Sequence, residues 1–262
     1  MVARNEGESM AWRLEGPTRP RPDKATAEAG LLLLVAAGAW AGTVLLARGM
    51  AGMTGTMGLS LAVFVPVWTL MMAAMMLPSV TPAASRYARS VSGRRTARIA
   101  GLAAGYLAVW AAAGMPAFGL AWLAGWVTER HPGAAHVFAV AAIAACGTYQ
   151  LSAPKDRCLT HCRAPLTVSR PGGWARDLGA GVRHGAYCLG CCWALMVILI
   201  AVGVMNVAAM VGLAVVVLIE KTWRWGPAAG RVAGAAALAL AVAIIWLPWL
   251  APGLHASPPM MG

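Results

Sequence analysis

Residues 181–206 read GVRHGAYCLGCCWALMVILIAVGVMN, and they place His184, Cys188, Cys191 and Cys192 at the mouth of a long apolar run. In a helix, the 100° step per residue gathers these four within an arc of about 80 to 100°, the width of one helix face. The result is a stripe of soft and borderline metal ligands at a boundary between polar and apolar sequence. Working outward, residues 186–219 carry no charged side chain. As one helix this run would be about 51 Å long, too long for a hydrocarbon core of ~30 Å. A tight hairpin at Gly203 to Asn206 is therefore expected, dividing the run into two spans.

The composition agrees with a membrane setting. Sixty per cent of the 262 residues are hydrophobic and only 11% are charged, against about 25% charged in an ordinary globular domain. The mean hydropathy is +0.67. The chain reads as all-α, a polytopic helical bundle in the lipid bilayer. Apolar spans are expected near 29–47, 59–78, 99–124, 134–152, 186–204, 206–220 and 232–250, about seven transmembrane helices. With that count, all but Arg48 and Arg130 of the 21 Lys and Arg residues fall on one side. The positive-inside rule then puts the N-terminus in and the C-terminus out, in the cell inner (cytoplasmic) membrane. Merging the fifth and sixth spans would move Lys221, Arg224 and Arg231 to the outer side, so charge also favours the hairpin.

This divides the chain into a disordered cytoplasmic tail at 1–27, a single transmembrane helical domain at 28–252 and a short outer tail at 253–262. The domain carries a cytoplasmic Cys/His loop at 153–185. The tail lacks apolar periodicity and a small-residue cleavage site, so it does not read as a secretory signal. The net charge of +12 sits in short loops between spans, which makes it a topology signal, so no nucleic acid partner is expected. Neither a GxxxxGK[ST] loop nor a G-x-S-x-G elbow occurs, which argues against ATP-driven transport by this chain alone. Trp122, Trp126, Trp223, Trp225, Trp246 and Trp249 fall near span ends, as interfacial belts do.

Five of the six cysteines crowd into residues 158–192. Cys158, His161 and Cys162 stand at i, i+3, i+4, so one helical turn would aim all three the same way. Together with His184, Cys188, Cys191 and Cys192 they exceed what one tetrahedral site can use. Either one Cys/His site has spare thiols, or two low-coordinate Cu(I) sites lie side by side and pass an ion along. Met72, Met75 and Met76 share a face of the second span, just before Pro78, where a kink is expected. Thioethers suit Cu(I), whereas zinc, the alternative metal, prefers thiolate, imidazole or carboxylate. Methionine also serves as a flexible apolar packer. Met50, Met53, Met57, Met205, Met210, Met260 and Met261 are expected at or near the outer face, which would make a path with Met outside and Cys/His inside. Cys146 reads as a small packer, and His131, His136 and His255 as solvated or interfacial. Glu220 and Lys221 read as snorkelling or paired with each other.

MMAAMMLP at 71–78, HGAYCLGCCW at 184–193, GVMN at 203–206 and the Glu220, Lys221 pair resemble the bacterial predicted metal-binding integral membrane proteins, a domain of unknown function with copper-chaperone-like members. The resemblance covers roughly 60–222 and leaves out the N-terminal tail and the last span. It implies copper handling and maturation of a copper-dependent oxygenase. The leading expectation is a membrane copper chaperone that takes Cu(I), from a soluble copper carrier for example, and passes it to a transporter or oxygenase. A copper transporter moving the ion through the bundle is the second reading. A membrane thiol oxidoreductase is the third, with Cys188 and Cys191 as a C-x-x-C pair at a helix N-terminus, where the dipole lowers a thiol pKa.

Overall fold

Apolar stretches of this length bury their backbone polar groups only by closing them into helices. A computed structural model describes residues 24–50, 53, 55–90, 95–166, 173–247 and 250, and among them there are eight helices and no strand. In chain order these are α1 (Lys24–Met50), α2 (Leu61–Ser90), α3 (Arg95–Arg130), α4 (Pro132–Gln150), α5 (Ala153–Arg163), α6 (Trp174–Val202), α7 (Val207–Thr222) and α8 (Gly226–Trp246). Most of the expected tail, the outer tail, Trp249, His255, Met260 and Met261 lie outside the described residues; α1 begins at Lys24, inside the segment read as tail. Five helices, α1, α2, α3, α6 and α8, are long and apolar enough to cross a membrane. The pair α4 and α5, bent by 59° at its break, meets the same test only when taken together. Leu34, Val232 and Trp246 are at least 70% exposed. An apolar exterior of this kind is compatible with lipid as the solvent.

The hairpin forms where the sequence placed it. Gly203 ends α6 with φ 112°, a conformation open to glycine. Asn206 caps α7, its side-chain oxygen accepting from the Ala209 backbone N–H at 3.0 Å. Lys221 near the end of α7 then reaches Cys188 on α6 at 2.8 Å. Since both lie a similar number of residues from the turn, α7 folds back along α6.

Two expected boundaries move. The second span continues through Pro78 and Pro82 to Ser90. Hydroxyls in that stretch donate to main-chain carbonyls of the preceding turn, Ser79 to Met76 and Thr81 to Leu77, each at 2.8 Å. The 153–185 segment is also more helical than a loop, because it holds α5 and the first turns of α6. Hydropathy misses the start of α6 because that part is held by a neighbour. Gly105 on α3 lies against the backbone of α6 at Leu178 and Val182, and Gly181 and Gly185 on α6 lie against α3 at Leu102, Tyr106 and Val109, so the two backbones touch. A Cβ on Gly105 would strike the Leu178 carbonyl, and one on Gly181 the Leu102 carbonyl. At the same end Asp177, fully buried, receives Arg98 at 2.9 to 3.2 Å and the Tyr87 hydroxyl, tying α2, α3 and α6 together.

Candidate metal centre

The site is built on α6 and completed by α5, α7 and α3. Cys188, Cys191 and Cys192 are fully buried and His184 is 4% exposed, so the stripe expected from the 100° step faces the core. Cys191 Sγ lies 3.3 Å from Cys192 Sγ. Cys162, carried in by α5, sits 3.9 Å from His184 Nε2. Cys162 also interacts with Cys188 and Cys191, and Cys188 with Cys192. The two Cys/His clusters of the sequence therefore meet in space.

Cys188 has the richest surroundings. The Tyr106 hydroxyl lies 2.9 Å from its sulfur, and Lys221 donates to that sulfur while also donating to Ser79 Oγ at 3.1 Å. Through Ser79 and its bond to Met76, the methionine turn of α2 is tied to this point. Met71, Met72, Met75 and Met76 are each at most 1% exposed, in the same core cluster as the thiols. Leu77, Ala73 and Ala74 are buried too, so α2 is enclosed on all sides here and its methionines are not confined to one buried face. Of the methionines expected at the outer face, Met57, Met205 and Met210 also pack into that cluster, whereas Met53 is exposed.

The α5 residues do not point one way. Cys162 is buried, Cys158 is half-buried and His161 is exposed. Cys158 Sγ occupies the space a side chain on Gly190 would need. His161 stacks on Tyr187 with ring centroids 4.6 Å apart. The one-direction expectation fails because α5 lies on the surface of α6, so its faces meet different surroundings.

The expected partnership of Glu220 with Lys221 is also overturned. Adjacent residues on a helix diverge by 100°, and here they serve different neighbours. Glu220 forms a buried ion pair with Lys155 of α5 at 2.9 Å and accepts from Gln150 Nε2 at 3.0 Å. Arg163 at the other end of α5 donates to the main-chain carbonyls of Glu220 and Trp223. Gly226 and Gly230 on α8 leave room for this clasp. Glu220 Oε2 and Gln150 Oε1 have no protein partner. Desolvating two ions costs several kcal/mol each, so the clasp is better understood as fixing α5 than as a source of stability.

The premise of the redox reading changes as well. Cys188 stands about four turns inside α6, whose N-terminus is at Trp174, and a helix dipole acts mainly within the first turn. An apolar cavity of about 570 Å³ lies beside the stripe, lined by Trp68, Trp110, Gly190 and Trp193 among others, and no cysteine or histidine lines it. Cys146 is buried in the core. Among the described residues no three His, Cys, Asp or Glu side chains stand ready to hold one ion. The close pairs Cys191 with Cys192 and Cys162 with His184 bring soft and borderline metal donors side by side.

A model of the PpoB2 copper chaperone family matches residues 65–244. The chain belongs to this family. The copper chaperone match takes in the methionine turn, α5, the α6 stripe, the hairpin and the Glu220, Lys221 pair. It also reaches through most of α8, which the sequence resemblance left out. No curated protein and no solved structure matches the chain significantly. Membership in a copper chaperone family implies copper binding, in line with a donor set rich in thiol and thioether.

Sequence reading missed Tyr106, Lys155, Gly190 and the Lys221 contact as parts of this centre. Lys155 and Lys221 could have been suspected, since a lysine beside an apolar span needs either solvent or a partner. Nothing local singled out Tyr106 or Gly190.

Proposed function

We propose that the protein is a membrane copper-binding chaperone that holds Cu(I) on the buried cluster of Cys162, His184, Cys188, Cys191 and Cys192 and passes it on by ligand exchange. The observation that carries this reading is the meeting of α5 and α6, which brings Cys162 from a distant part of the sequence to the imidazole and three thiols of α6. Family membership supports the copper assignment, and the soft donor set supports the monovalent ion over zinc. Seven crossings with the N-terminus in the cytoplasm of an inner-membrane protein complete the proposal, α7 being the short one. Every described thiol but Cys146 then lies toward the side where thiols remain reduced. A soluble carrier as donor and a copper-dependent oxygenase as recipient fit this placement.

The test is anaerobic Cu(I) titration of the purified protein beside Cys188→Ser, Cys191→Ser, Cys192→Ser combined in one chain. Tight binding that drops sharply in the triple variant is expected. Unchanged stoichiometry and affinity would sink the proposal.

A transporter is the second reading, favoured by one observation: Met72, Met75 and Met76 extend the soft donors from the thiols into the buried middle of the bundle. Copper flux into proteoliposomes separates the two, because a chaperone binds without carrying the ion across.

A further inference from the structure

The proposed copper cluster is buried, which raises the question of how an ion reaches it. Copper(I) moves between proteins by associative exchange, in which an incoming ligand must touch the metal while the donor still holds it. Buried Cys162, His184, Cys188, Cys191 and Cys192 cannot meet a metal on another molecule. Cys158 is half-buried, with its sulfur turned to Gly190. Of the seven Cys and His residues on α5 and α6, His161 alone is exposed.

Its ring is also prepared for ligation. His161 Nδ1 lies 2.8 Å from the Arg157 carbonyl oxygen. A carbonyl only accepts, so Nδ1 is the donor in this contact and Nε2 is the nitrogen left to meet a metal. Metal-binding histidines are commonly oriented in this way, by a backbone carbonyl on the other nitrogen. Stacking on Tyr187, with an interplanar angle of 14°, restrains the ring further.

Position along the two helices gives the next step. His161 immediately precedes Cys162, and Tyr187 immediately precedes Cys188. The exposed imidazole is therefore next in sequence to a buried thiol, about 100° round the same helix, and it rests on the residue before another.

We infer that His161 is the surface ligand that receives Cu(I) from a donor and passes it to Cys162, so that copper reaches the buried thiols by way of α5. This rests on the copper-binding reading above. The exchange is a ligand substitution without redox change: a bond from Cu(I) to Nε2 forms as one to the donor breaks, and a bond to Cys162 sulfur then replaces Nε2. The thiol proton leaves to solvent as that second bond forms.

The experiment is anaerobic stopped-flow transfer from the coloured Cu(I) complex of bathocuproine disulfonate to the full-length protein in detergent. His161→Ala is expected to slow loading about tenfold or more, equivalent to at least ~1.4 kcal/mol in the barrier, while leaving the equilibrium affinity unchanged. His161→Met, which restores an exposed soft donor without the imidazole shape, is expected to recover most of the rate. A wild-type protein that takes up no Cu(I) at equilibrium overturns the copper reading and this inference with it. Wild-type loading rates in His161→Ala, with normal copper uptake, overturn the inference alone. A loss of affinity in His161→Ala that Met does not recover would make the residue structural and also overturn it.

Discussion

The thiols of α6 and those of α5 belong to one cluster but are held in different ways. Cys188, Cys191 and Cys192 ride on a 29-residue helix locked to α3 along a seam of glycines. Cys158 and Cys162 ride on an 11-residue helix, APKDRCLTHCR, which is too short and too polar to anchor itself in lipid. Its hold is a set of tertiary contacts, with Lys155 and Arg163 gripping the end of α7. An isolated helix of that length is marginal in water. The difference sets a half fixed by helix packing against a half held by a clasp.

The strongest way to break the comparison is to attack the seam that both halves need. Gly181→Leu places a side chain against the α3 backbone at Leu102, where nothing flexible can yield. The cost is expected to exceed the ~1–3 kcal/mol typical of an overpacked core, with little folded protein recovered and all the buried thiols reactive. Normal yield with protected thiols in size-exclusion and alkylation assays would show that the close approach of α3 and α6 is dispensable.

A narrower change separates the halves. Glu220→Ala strands the buried Lys155, at an expected cost of about 3–5 kcal/mol, and frees α5. Cys162 should alkylate faster while Cys191 stays protected. Replacing both partners, as Lys155→Met with Glu220→Met, removes the charges together and should return much of the protection, since apolar replacements of buried ion pairs are often neutral or better. If Cys162 and Cys191 became reactive together in Glu220→Ala, the two halves would be a single unit and the distinction would fail.

The smallest effect tests the far end of the arm that carries the clasp. Asn206→Ala removes the cap of α7 and is expected to cost about 1 kcal/mol. The melting temperature should fall by a few degrees, in the range of ~2–4 °C for a chain of this size, with thiol protection unchanged. Exposure of Cys162 in this variant would show that the clasp depends on the turn as well as on the ion pair.

Much of the scaffold was legible because its signals are local. The lack of charge over 186–219 required a break, and Gly203 and Asn206 supplied the residues for it. The periodic spacing of His184, Cys188, Cys191 and Cys192 predicted one shared face, and the helix buries that face. Where α6 begins was less legible, because the polar turns from Trp174 are stabilised by glycine contacts with α3 and by the ion pair of Asp177 with Arg98, both distant in sequence.

By itself, the sequence determined an all-helical, strongly apolar chain, the hairpin, and a stripe of soft ligands on one helix, since hydropathy and helical period act over a few residues at a time. Only the tertiary structure decided that α5 brings Cys162 to His184, that Glu220 and Lys221 part to serve different neighbours, and that His161 stays outside. Those outcomes depend on which helices lie side by side, and a buried charge or ligand takes its partner from whatever neighbour the packing supplies.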